Sequence, residues 1–233
     1  LDLIIKHSGT PTKHTYLDDY LGNDHPRYPI NMPTLRKVVS AWMKDHADLS
    51  AKEFADLVSS LIEGKSSTEK TTSGILLDYA TKEQRTFNPK LFNTWLNHIK
   101  GWAEIDSLCT SKYTATEVLR QWNIWEPQLV AFSKSKDIGK RRASIVCLCV
   151  PLRKVNNKCL AELALTNIDR LKHEEDVLIT KAISWVLRTM IKHHKKAVAD
   201  YVKLNQDTLP KIAVRETLTK LKTGTKTKRK AIS

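Results

Sequence analysis

Apolar residues recur at three- and four-residue spacings through almost every segment of this chain, a period that is satisfied by helices each burying one stripe. Leu35, Val38, Val39 and Trp42 form one such stripe, and Phe54, Leu57, Val58, Leu61 and Ile62 form the next. Seven Gly and eight Pro among 233 residues are too few for a fold of many tight hairpins, which needs turn residues at short, regular intervals. The chain is expected to be all-α.

Local chemistry supplies the helix boundaries. Pro33 sits in a first turn, where a missing N–H costs nothing, and opens a helix that runs to about Asp45. Ser50 with Glu53 three residues on is a capping-box pattern ahead of the second stripe, which stops at Gly64. Ile75, Leu76, Leu77 and Tyr79 mark a third helix, and Asn88-Pro89 caps a fourth that carries Leu91, Trp95, Leu96 and Ile99. Thr114 with Glu117 begins another. Asp137 precedes one running through Arg142, Ile145 and Leu148, and Val177 to Ile191 form a long amphipathic helix. About ten to twelve helices with short connections follow. Antiparallel pairs of that length, stacked one on the next, describe a curved α-solenoid, inferred from helix lengths because the sequence shows no self-similarity. One domain over 1–222 is expected, followed by a basic, disordered tail over 223–233.

Charge narrows the choice of partner. Lys and Arg number 39 against 25 Asp and Glu, a formal excess of +14, and much of it falls in three runs. Lys134 to Lys154 holds seven basic residues against one acid, Asp137; Lys192 to Lys196 brackets His193 and His194; the tail carries Lys220, Lys222, Lys226, Lys228, Arg229 and Lys230. A single run of this kind is an ordinary solubility device, but three together point to an anionic polymer lying on the concave side of the solenoid. The longest apolar stretch, Ala143 to Leu152, is well short of the ~20 residues a membrane span needs and is broken by Pro151. The first ten residues, LDLIIKHSGT, have neither the basic region nor the apolar run of a signal peptide. Cys109, Cys147, Cys149 and Cys159 lie on apolar faces without C-x-x-C spacing, as reduced core thiols would. A cytoplasmic, nucleoid-associated protein is expected, or a nuclear one in a eukaryote.

Two constellations could carry chemistry. In Gly101-Trp-Ala-Glu-Ile-Asp106, Trp102 and Asp106 are four residues apart, so on a helix an aromatic plane borders a carboxylate. The spacing by itself equally describes a core Trp beside a solvated Asp. In Lys181-Ala-Ile-Ser-Trp-Val-Leu-Arg188, Lys181, Trp185 and Arg188 can share a face while Val186 packs. Arg141-Arg142 leads into the apolar run, so at least one guanidinium must emerge, either for a phosphate or into a helix-flanking salt bridge. No His lies four residues from another His or a Cys, and there is no Gly-rich phosphate loop or G-x-S-x-G elbow, so neither metal nor cofactor is expected.

These residues carry a resemblance. The chain resembles the DNA alkylation repair family of HEAT-like-repeat DNA glycosylases, the AlkD-like alkylpurine glycosylases, from about Tyr16 to Lys222. Four blocks in order support it: Tyr20 with Met32-Pro33-Thr34-Leu35-Arg36, Trp102-x-x-x-Asp106, Arg142-Ala143-Ser144-Ile145, and Lys181 through Arg188, the most specific. Pro29 departs from the pattern, standing where the family commonly has Gly. The resemblance implies that Asp106 is the catalytic carboxylate, that Trp102 and Trp185 hold the lesion's deoxyribose, and that Tyr20 lies beside the same nucleotide. It implies DNA contacts for Arg36, Arg142, Lys181 and Arg188. The activity implied is that of a monomeric, monofunctional glycosylase releasing cationic alkylpurines such as 7-methylguanine or 3-methyladenine from double-stranded DNA, with no metal and no membrane. A noncatalytic relative that binds damaged or branched DNA, and a protein-binding helical scaffold, are the competing readings.

Overall fold

The structure, a computed structural model, describes residues 1–10 and 22–227. Tyr20 and the tail residues Lys228, Arg229 and Lys230 lie outside the described residues. Those described form twelve α-helices, one 3₁₀ turn and no strand. The helices are α1 (Asp2–Lys6), α2 (Met32–Asp45), α3 (Ala51–Glu63), α4 (Ser67–Tyr79), α5 (Leu91–Trp95), α6 (Gly101–Cys109), α7 (Lys112–Arg120), α8 (Trp122–Ser133), α9 (Ile138–Lys154), α10 (Lys158–Leu171), α11 (Val177–Leu204) and α12 (Lys211–Thr223). They fall into two compact units, Leu1–Trp125 and Glu126–Ser233. The longest helix is not apolar enough to cross a membrane, nor is any other among the described residues.

In the first unit α2, α4 and α6 pack side by side, each reached by skipping one helix, while α3 packs on α4 and α5 on α3. In the second, α9 packs on α11 and α10 closes against both, with α12 on the far side of α11. Contacts to the neighbours one and two positions on are the two-layer stacking of an α-solenoid.

Side-chain caps fix where most helices begin. Asn31 accepts the Thr34 N–H at 2.9 Å ahead of α2, with Pro33 in the first turn. Ser50 and Glu53 complete their capping box at α3. A second box that the apolar spacing does not reveal, Ser66 with Glu69, starts α4 at Ser67, so the stripe from Ile75 marks only its latter half. Ser111, not Thr114, caps α7, because its hydroxyl accepts the Thr114 N–H at 3.2 Å and leaves Thr114 already inside the helix. The Asn88-Pro89 helix is shorter than expected: Asn88 accepts the Lys90 N–H in a turn, and α5 ends at Trp95. The long helix is longer than expected, continuing to Leu204 across a break at His194, where φ is −127° and ψ 39°.

Each unit has its own core. The first is built on aromatic contacts: Phe87 stacks on Tyr113 with centroids 4.5 Å apart, and Phe92 meets Trp125 edge-on at 4.9 Å. In the second, α9 is buried continuously from Arg142 to Leu152, which explains why its sequence has almost no polar face. Pro151 lies within that helix, which continues to Lys154. Cys109, Cys147 and Cys149 are buried free thiols as expected, but Cys159, on α10, is exposed. Its neighbours Leu160 and Ala161 take the buried positions instead.

Candidate active site

The Trp102 and Asp106 pair rides on α6, whose position is set by two features of the first unit. One is a close crossing with α4. A Cβ added to Gly74 would stand 2.4 Å from the backbone carbon and oxygen of Ser107, so only hydrogen fits there. Ser107 Oγ also donates to the Thr71 carbonyl at 2.8 Å. The crossing thus clamps the residue next to Asp106.

The other is a buried carboxylate. Glu104 is 0% exposed, yet lies between Trp102 and Asp106 in sequence. Its Oε2 accepts the Lys100 N–H at 2.9 Å, and its Oε1 meets His25 Nδ1 at 2.8 Å. Asn23 Nδ2 donates to the Lys100 carbonyl at 3.4 Å, so the segment entering from residue 22 is tied to the start of α6. Gly101 there has φ +67°, a left-handed step that suits glycine. Lys70, on α4, supplies the compensating charge. Its Nζ donates to the carbonyls of Ile62 at 2.6 Å and His98 at 2.8 Å. Burial pulls its pKa below the ordinary lysine value, and attraction to Glu104 opposes that shift.

On this support Trp102 and Asp106 are both half-buried, facing partly outward. Arg36, on α2, is exposed and paired with Asp78 at 2.8 Å. That hydrogen bond raises its pKa. The other Asp78 oxygen accepts the Lys112 N–H at 2.8 Å, so Asp78 joins α2 to the start of α7.

The remaining candidates lie in the second unit. Arg142 is buried, and its guanidinium donates to the Leu178 carbonyl at the start of α11. Arg141 takes the salt bridge, to Glu174 at 2.8 Å. The Arg141-Arg142 pair therefore divides into one buried arginine bonded to backbone and one ion-paired arginine. On α11, Lys181 is exposed while Trp185 and Arg188 are half-buried. Arg188 Nε lies 3.2 Å from Ser184 Oγ and 3.3 Å from Glu216 Oε2 of α12. The structure thus groups Trp102 with Asp106 in the first unit, and Lys181, Trp185 and Arg188 with the buried Arg142 in the second. Among the described residues no three His, Cys, Asp or Glu side chains gather as a metal site would require.

Sequence reasoning missed Glu104, Lys70, His25 and Glu216. The first two left a signal. Glu104 falls on the stripe of Gly101, Ile105 and Leu108, and Lys70 on that of Ser73, Gly74 and Leu77, so each puts a charge where a helix turns inward. His25 left none, because its partner is distant in sequence.

The chain belongs to the DNA alkylation repair enzyme family, whose model matches residues 5–221. Among solved structures it is similar to one described as a predicted DNA alkylation repair enzyme from Enterococcus faecalis, with a TM-score of 0.71 at 16% identity, covering 93% of this chain and 94% of that one. At that identity the likeness is one of fold. Comparison with curated proteins finds no match.

Proposed function

We propose that this chain is a monofunctional DNA glycosylase that hydrolyses the N-glycosidic bond of cationic alkylpurines, 7-methylguanine and 3-methyladenine among them, in duplex DNA. The observation that carries this reading is the half-buried Trp102 and Asp106 pair on one face of α6, held by Glu104 and Gly74, in a chain of this family. A purine alkylated at N7 or N3 already bears a positive charge, so it departs without a strong general acid. The sugar is where help is needed. As the bond stretches, oxocarbenium character grows on the deoxyribose; the Asp106 carboxylate stabilises it and orients water at the anomeric carbon.

The negative face of Trp102 attracts the cationic sugar edge, and Trp185 is assigned the same task. Arg36, Arg142, Lys181 and Arg188 are proposed as DNA-binding residues. Arg142 fills that role by holding the first turn of α11 through the Leu178 carbonyl, since its own side chain is turned inward. Neither metal nor cofactor enters this chemistry, and the product is an abasic site in an uncut strand. The protein acts as a monomer, with its glycosylase domain over 1–222, wherever the cell keeps its DNA.

The test is Asp106→Asn, measured by release of free methylated bases from methylated duplex DNA alongside binding to the same duplex. The amide keeps the shape but cannot stabilise a cation, so release falls about a hundredfold or more while affinity is retained. Parental release by the variant removes Asp106 from the mechanism. DNA binding by the parent with no base released would make the chain a noncatalytic reader of damaged DNA.

A further inference from the structure

The C-terminal segment returns to the helix it has just left. α12 ends at Gly224, which takes φ +76° and donates its N–H to the Lys220 carbonyl at 2.9 Å. The left-handed step turns the chain, and threonine hydroxyls hold the turn: Thr223 Oγ1 bonds to the Thr225 carbonyl at 3.2 Å, and Thr225 Oγ1 to the Thr227 carbonyl at 2.7 Å. Lys226 is thereby brought back to Glu216, ten residues earlier, with Nζ 3.3 Å from Oε1.

Glu216 is the centre of the arrangement. Its other oxygen takes the Ser184 hydroxyl at 2.6 Å and the Arg188 guanidinium at 3.3 Å, both from α11. Burial pushes this carboxyl up, but the bonds from Ser184 and Lys226 and the charges of Lys226 and Arg188 outweigh it and hold the group below the ordinary value. It stays ionised, with both oxygens occupied.

Lys220 adds a third cation. It is half-buried one turn beyond Glu216, with no ion-pair partner among the described residues, and its pKa is lowered by burial and by the charge of Arg188. Arg188 is likewise disfavoured by burial, offset in part by Glu216. Two positive groups, Arg188 and Lys226, therefore engage one negative group, and Lys220 stands one turn further along the same helix. The one carboxylate aligns Arg188 and Lys226 and cannot neutralise both, and Lys226 remains half exposed at 53% of its side chain. A second anion would relieve the imbalance, and a phosphodiester oxygen has the charge and acceptor geometry for it.

We propose that Arg188 and Lys226, aligned by Glu216, form with Lys220 one turn along α12 a single phosphate-binding site through which the C-terminal segment grips the DNA backbone beside α11. This rests on the DNA reading above and adds to it two lysines and the carboxylate that holds Arg188 and Lys226 in place. Glu216 acts through the cations and is a positioning residue.

The experiment compares the full chain with its Lys220→Gln/Lys226→Gln double variant, by fluorescence anisotropy on duplex DNA across a salt series. Each phosphate contact contributes about 0.9 to the slope of log affinity against log salt, so loss of this one site lowers the variant's slope by up to about 0.9 and its low-salt affinity about tenfold. Its helical circular dichroism stays at the parental level, which shows that the variant folds. A variant with the parental slope and affinity overturns the site and leaves the DNA reading standing. A parent with no salt-dependent affinity for DNA overturns that reading and the site with it.

Discussion

Replacing Gly74 with Ala should separate α4 from α6 and thereby damage both stability and base release. The added Cβ would meet the Ser107 backbone carbon and oxygen at 2.4 Å, whereas ordinary contact begins near 3.4 Å. The two helices must part by about 1 Å, since backbone atoms cannot swing aside as a flexible side chain does. Overpacking of this kind costs about 1 to 3 kcal/mol. With a urea m-value of about 2.5 kcal/mol/M, a loss of 2.5 kcal/mol lowers the unfolding midpoint by about 1 M. Ser107 is the neighbour of Asp106, so the displacement is passed to the carboxylate, and if Asp106 acts as proposed, about 1 Å at the reacting centre is worth about a hundredfold in rate. Urea unfolding and single-turnover base release measure the two effects separately. Adding Ser107→Ala should restore little, because the backbone atoms that obstruct the Cβ remain. A Gly74→Ala variant with the parental midpoint, or one fully rescued by Ser107→Ala, would refute the argument that backbone contact fixes this crossing.

Further outcomes follow from the same side chains. Glu104→Leu removes the acceptor for Lys100 N–H and His25 and leaves Lys70 buried without its counter-charge, a loss of about 3 to 5 kcal/mol in urea unfolding; Glu104→Gln keeps an acceptor and should lose less, so equal losses would show that charge plays no part. Asp78→Ala strips a bond from the start of α7 as well as from Arg36 and should cost about 1 to 2 kcal/mol, against less than about 1 for Arg36→Ala, whose exposed pair is weak. The pKa of His194 lies below the ordinary 6.5 because burial, and then the charge of His193, disfavour its cation. The unfolded chain therefore binds the proton first as pH drops, so stability is full above about 6.5 and declines as pH falls through the folded value. His194→Asn should flatten that decline in urea midpoints, and an unaltered pH profile would exclude His194 as its source.

Much of the fold was readable from the order of residues because helices are locally specified. Ser50 and Asp137, read from the sequence as helix starts, cap the helices that follow them through bonds spanning three residues, and such bonds exist whatever the rest of the chain does. The errors arose where two local patterns competed. Thr114 with Glu117 matches a helix start, but Ser111 lies one turn earlier and takes the bond. Glu117 then becomes a buried acceptor, paired with Arg120 at 2.6 Å.

The chain by itself determined that it would be helical, strongly cationic, and marked by an indole one turn from a carboxylate, since period, net charge and an i to i+4 spacing are properties of sequence alone. Only the tertiary structure decided which charges are turned inward. Glu104 meets a histidine 79 residues away, Arg142 a carbonyl 36 residues away, and Arg188 a carboxylate from the next helix. The physical reason is that desolvating a charge is tolerable only when a partner stands in place, and that partner comes from another segment of the chain, at a separation no local pattern encodes.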